Sequence, residues 1–268
     1  MIAPADLFNL EGLTHAQLFD GLDQVWLALD RIQNLSAQLA ERDGHTGRVL
    51  RVSFGEVMPI TVVLHRGTVY EDNFCLLGGD PTKGGMCVEL AGCKVYDAVV
   101  VHAGAAIMSD DIHLAPGVKV EPGALLKGPC HLGPGAEVRQ GAYIRGAALV
   151  GAGCVVGHAT ELKNAAMLDG AKAGHFAYLG DSILGRDCNL GAGTKLANLK
   201  IVDRPHRLVV GEQTHVVQRR KFGAIMGDGC ETGCNSVTNP GVILGRRCMV
   251  APCVSVAGGY YKPRAIIR

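Results

Sequence analysis

Aromatic residues make up only 5% of this 268-residue chain, and it has a single Trp. No apolar run approaches the roughly 18 residues that a bilayer-crossing helix needs, which excludes a helical membrane protein. The opening MIAPADLFNLEG lacks a basic stretch followed by an apolar one, so no secretory signal is expected. Neither sign of charge prevails: 26 Lys and Arg face 25 Asp and Glu, for a net charge of +1. That balance argues against a general nucleic-acid binder, and neither nucleic acid nor membrane is expected as a partner. The 10 Cys residues, with no export signal, read as thiols of a reducing compartment, and a cytoplasmic location is expected. What the chain does have is 37 Gly within a composition that is 48% hydrophobic. Many apolar residues with few aromatics require a narrow core of small side chains.

Laid out in sixes from Leu114, the first positions read Leu114, Val120, Leu126, Leu132, Val138, Ile144, Val150, Val156 and Leu162. Four residues after each stand Val118, Ala124, Cys130, Ala136, Ala142, Ala148, Cys154, Thr160 and Ala166. Pro116-Gly117, Pro122-Gly123, Pro134-Gly135, Gly141 and Gly153 punctuate the repeat. A helix of period 3.6 cannot hold one face at a spacing of six, whereas a short strand plus a tight turn can. The pattern therefore predicts a parallel β-helix of hexapeptide repeats beginning near residue 96. Five cysteines (Cys130, Cys154, Cys188, Cys230, Cys248) occupy small inward positions and read as inert core thiols.

The expected organisation is an N-terminal helical segment over 1–47, short strands and loops over 48–95, the coil over 96–260 and a tail over 261–268. Thr14-His15-Ala16-Gln17 resembles a capping box. Leu18, Leu22, Val25, Leu29, Ile32 and Leu39 follow at three and four spacing, predicting one amphipathic helix of about 27 residues that either docks on the coil or pairs with copies of itself, the short heptad run favouring docking. Arg48–Ser53 and Ile60–His65 read as strands.

The register breaks twice, and chemistry is sought at breaks. The first covers 171–181 and holds His175 and Tyr178 with Asp181 nearby. A histidine titrates near neutrality and suits proton abstraction, although a Gly-His in a turn is often structural. The second, Lys200 to Lys221, sets Lys200, Arg204, Arg207, Arg219, Arg220 and Lys221 against Asp203 and Glu212. It reads either as a solvated loop or as an arm that grips phosphate. Gly227-Asp228-Gly229 lacks a dinucleotide fingerprint, and Cys230–Cys234 lacks a paired CxxC. His102, His113, His131 and His158 do not close into a three-histidine zinc triad by spacing, and no metal site is expected.

The stretches GAYIRG (141–146), GHATELKNA (157–165), 172–200 and RRKFGAIMGDG (219–229) resemble the left-handed β-helical acyltransferase domain of the sugar-1-phosphate nucleotidylyltransferase family. Its members include the bifunctional N-acetylglucosamine-1-phosphate uridylyltransferase/glucosamine-1-phosphate acetyltransferases, and the archaeal-type relatives are the nearer likeness. The resemblance implies a mainly β fold, a left-handed coil, a homotrimer, and acetyl-CoA as co-substrate for N-acetylation of an amino-sugar 1-phosphate. It puts His175 on the general base and Asn198 near the acetyl group. Arg145, Lys163, Tyr178, Asn189 and Arg204 would bind the sugar phosphate, with Gly233, Cys234 and Ala251 at acetyl-CoA. Backbone N–H groups near Gly233-Cys234 would face the oxyanion. Residues 1–95 show no nucleotide loop, so nucleotidyl transfer is not expected. A non-catalytic prism that keeps the sugar-phosphate pocket, and an acyltransferase for another acceptor, are the alternatives.

Overall fold

The computed structural model describes residues 1–202 and 204–268; Asp203, counted above in the basic arm, lies outside them. From residue 99 the chain winds as a three-faced parallel β-solenoid. The first face stacks nine strands, from Val99–Val101 through Lys172–His175 and Asn189–Leu190 to Ile266–Ile267. The second runs from Ala106–Ile107 to Ser255–Val256, and the third from Ile112–Leu114 to Gly259–Tyr261. Val62–His65 caps the first face by pairing antiparallel with Val99–Val101, which closes an edge that would otherwise invite another strand.

Hexads give this fold because three short strands and three corners make a coil of eighteen. On the second face Leu126 pairs with Ile144, Ile144 with Leu162, Leu162 with Leu179, and Leu179 with Leu196, all buried. Each such side chain removed from water contributes about 1.5–3 kcal/mol. The five in-register cysteines are fully buried, as their positions imply.

The register slip has a definite origin. Between the second and third faces the strands run on as Glu161–Met167 and Tyr178–Leu184, each losing one corner residue. Asn164 and Asp181 make those corners with φ of +47° and +45°. The slip therefore starts at Asn164, before the stretch singled out in the sequence. Ala165, not Ala166, is consequently the inward residue, and Ala166 faces outward. The second break is an insertion at the same corner one coil on. It carries the hairpin His206–Val210 and Gln213–Val217, yet Leu196 still pairs with Thr238 across it.

Three expectations are corrected. Residues 1–47 do not form one long helix; they form short helical turns (Pro4–Leu7, Ala16–Phe19, Val25–Asp30) and one helix, Ile32–Asp43. Gly21 turns the chain at φ +66°, and neighbours such as Val25 and Trp26 are both buried against a broad surface, which one helical stripe could not achieve. Thr14 caps no helix: its N–H donates to Oδ2 of Asp169 at 3.1 Å. Secondly, Thr46–Leu50 is helical, so only Val62–His65 of the two expected strands is observed. Lastly, the end of the chain is coil rather than tail, since Ile266–Ile267 pairs with Met249–Val250.

Docking of the N-terminal segment is observed. The outward column of the third face runs Leu149, Ala166, Ile183, Ile225, Ile243. It is buried beneath Leu7, Phe8, Leu18, Trp26, Leu29 and Ile32. No helix among the described residues is long and apolar enough to cross a membrane.

Candidate functional site

The shortened corner builds a cleft of about 450 Å³ lined by Arg145, Lys163, Asn164, Asp181, Arg219 and Lys221, with Leu29, Asp30 and Gln33 of the N-terminal segment as its far wall. Asn164, Asp181 and Asn198 stand seventeen apart, so the corner residues of three successive coils stack. Asn164 Nδ2 donates to Oδ1 of Asp181 at 2.9 Å, and Asn198 Nδ2 donates to its Oδ2 at 2.6 Å. Tyr178 reaches the same asparagine, its hydroxyl 3.5 Å from Oδ1. Gly180 makes this possible: a Cβ there would lie 2.6 Å from both the Asn198 amide and the Tyr178 hydroxyl.

Electrostatically the cleft is cation-rich. Arg145 donates to Glu161 at 2.7 Å, an exposed pair of small energetic weight. Arg219 pairs with Asp30 of the N-terminal segment. Lys163 is held below the ordinary lysine pKa, first by the Lys221 ammonium beside it and then by burial. Two ammonium groups facing each other with Asp181 occupied by amides form a site that favours an anion. Burial, then the Glu161 and Asp181 carboxylates, raise the Tyr178 hydroxyl, which keeps it a donor.

The structure thus brings Arg145, Lys163, Tyr178 and Asn198 together and adds Asn164, Asp181, Arg219 and Lys221. Arg219 and Lys221 belong to the basic stretch read as a solvated loop or a phosphate-gripping arm, Asp181 was noted only as an acid near His175, and Asn164 was missed. The signal that could have found it is the spacing of seventeen among 164, 181 and 198.

The other sequence candidates lie elsewhere. His175 is exposed at the corner between the first and second faces, where its carbonyl accepts from Gly193. Up the same corner come Gly233-Cys234 and then Ala251, linked by coil-to-coil bonds from Asn235 to Ala192 and from Cys253 to Cys234. The expected acyl-donor residues therefore share an edge with His175, and the second face separates that edge from the cleft. Asn189 sits exposed on the first face beside Lys172, not with the sugar-phosphate group. Arg204 is exposed on the insertion and does not line the cleft; its carbonyl accepts from Lys200. The Gly233 N–H cannot serve an oxyanion because it donates to Val250 at 2.7 Å along the coil. The Cys234 N–H has no such partner among the described residues.

Comparison with known proteins bears on the coil. Residues 126–221 match the family described as the GMPPB C-terminal domain. The chain is 37% identical over 107 residues to a bifunctional protein GlmU of Methanococcus vannielii, covering 38% of this chain and 26% of that one. It is 36% identical over 86 residues to a bifunctional sugar-1-phosphate nucleotidylyltransferase/acetyltransferase of Sulfurisphaera tokodaii, covering 32% of this chain and 21% of the relative. A GlmU of Geotalea uraniireducens matches over a longer stretch, 30% identical across 214 residues, or 71% of this chain and 40% of that one. The chain thus spans about a quarter of the length of the first two relatives. The resemblance read from the hexads and their interruptions is borne out for the coil.

Proposed function

We propose that this chain is a cytoplasmic homotrimeric N-acetyltransferase that transfers the acetyl group of acetyl-CoA to an amino-sugar 1-phosphate. The observation that carries the reading is the stacking of Arg145, Lys163 and Lys221 beside the Tyr178–Asn198 pair: cations for a phosphate next to neutral donors for a sugar. The likeness of the coil to proteins named as acetyltransferases supports the reaction class.

In the proposed reaction the sugar amine attacks the thioester carbon, forming a C–N bond. His175 takes the ammonium proton as the tetrahedral intermediate forms, and the Cys234 N–H donates to its oxyanion. The C–S bond then breaks and the proton passes to the departing thiolate. Within one chain His175 lies across the second face from the cleft. A trimer would let the His175 edge of one prism face the cleft of its neighbour, with Asn189, Arg204, Gly233 and Ala251 completing the site.

Thiol release from acetyl-CoA with a panel of amino-sugar phosphates tests this. His175→Ala is expected to abolish turnover in a protein that still assembles, and wild-type turnover in that variant would refute the mechanism. The distance of His175 from the cleft in a single chain favours a second reading, a prism that binds sugar phosphate without turning it over. Binding of the sugar phosphate with no thiol release and no CoA binding by calorimetry would establish that reading instead.

A further inference from the structure

The outward column that carries Leu149, Ala166 and Ile183 begins, two coils earlier, with histidines. His113 pairs with His131, and His131 with Leu149. The two imidazoles stack with centroids 4.7 Å apart and planes at 15°. The N-terminal segment meets them at both ends. Asp43, at the end of Ile32–Asp43, places Oδ2 at 3.0 Å from Nε2 of His131. His15 places Nε2 at 2.9 Å from Nδ1 of His131, and Nδ1 of His113 donates to the carbonyl of Gly44 at 2.7 Å.

We propose that Nε2 of His113, Nε2 of His131 and a carboxylate oxygen of Asp43 form a zinc-type divalent cation site that fastens the N-terminal segment to the solenoid. One ligand atom from each of Asp43, His113 and His131 lies within 4.8 Å of the other two, and Nδ1 of His113 is already engaged with Gly44. Zinc takes imidazole nitrogen and carboxylate oxygen at about 2.0–2.2 Å, so small side-chain rotations close the set, with a fourth position left to water. Histidine ligands characteristically donate their second ring N–H to a carbonyl or another acceptor, which fixes the tautomer. Both histidines have that partner: Gly44 for His113 and His15 for His131.

Without metal, His131 donates through Nε2 to Asp43 and accepts at Nδ1 from His15. That leaves Nδ1 of His15 a buried acceptor with no partner. With metal, the proton of His131 moves to Nδ1 and that of His15 to its own Nδ1, so coordination releases no net proton. Arg42 now holds both carboxylate oxygens of Asp43, at 2.6 and 2.7 Å, but its side chain is 60% exposed. It can keep Oδ1 while the cation takes Oδ2.

The test is metal analysis and competitive Zn²⁺ titration of chelator-stripped full-length protein, together with its unfolding midpoint. One equivalent bound below micromolar Kd is expected, with a raised midpoint. Co²⁺ should give tetrahedral visible bands without thiolate charge transfer. His113→Gln, at a half-exposed position that should not prevent folding, and Asp43→Asn should each weaken binding tenfold or more and remove the midpoint shift. His175→Ala should change neither. No binding at micromolar Zn²⁺, binding untouched by His113→Gln, or a thiolate band from the exposed cysteines would overturn the proposal.

Discussion

Asn198 donates its side-chain N–H to Oδ2 of Asp181 across 2.6 Å, while Asn164 serves the other oxygen from the opposite side. The carboxylate is buried and both oxygens are spoken for, so it fixes the direction in which Asn198 presents its carbonyl to Tyr178. Asp181→Asn would set an amide against two amides. A buried hydrogen bond to a charged group is worth about 1.5–3 kcal/mol, so kcat/KM for acetyl transfer is expected to fall about 10- to 100-fold. Steady-state kinetics beside an unfolding curve would separate that loss from loss of fold.

Gly180 is the second lever. An alanine Cβ would lie 2.6 Å from Asn198 Nδ2 and from the Tyr178 hydroxyl, and both side chains must move. Gly180→Ala is expected to weaken sugar-phosphate binding tenfold or more at a stability cost of about 1–3 kcal/mol. Calorimetry and urea unfolding give the two quantities independently.

Acid should loosen the N-terminal segment. His15 and His131 stay neutral in the fold with pKa of about 3 and about 4, but the unfolded chain protonates them near 6.5. Stability is therefore whole above that value and declines as pH falls from 6.5 toward 4, because protons bind the unfolded form first. At pH 5 each group contributes at most about 2 kcal/mol to the loss. Trp26, the sole tryptophan and 4% exposed in the docked segment, reports the change by fluorescence. His15→Asn should flatten the acid limb; an unchanged pH profile in that variant would refute the account.

Thiol chemistry should divide the cysteines by face. Cys75, Cys93, Cys234 and Cys253 are exposed and should react promptly with an aromatic disulfide reagent. Cys154 is pushed up to about 12 by burial, and Cys130 is raised by the same cause, so both should wait for denaturant. Counting released chromophore before and after unfolding checks this.

Much of the solenoid was legible because its period is set by local rules: Leu126 and Ile144 sit one coil apart whatever lies outside them. The N-terminal segment was not legible. Its residues read as one helical stripe, but Val25 and Trp26 bury side by side because the partner is a broad sheet face. Family likeness, not spacing, pointed to Arg145, Lys163, Tyr178 and Asn198, and it overlooked Asn164, whose role depends on a corner that lost one residue. His113 and His131 are eighteen apart, a full coil, yet their partners His15 and Asp43 come from docking, which no periodicity encodes.

The corner between the second and third faces varies from a lone asparagine at 164 to a loop carrying a whole hairpin, while Leu196 and Thr238 still meet inside. Length there is uncoupled from the core. That corner is the place where selection or an engineer can add or remove residues and so reshape the cleft, with the aliphatic ladder indifferent to the change.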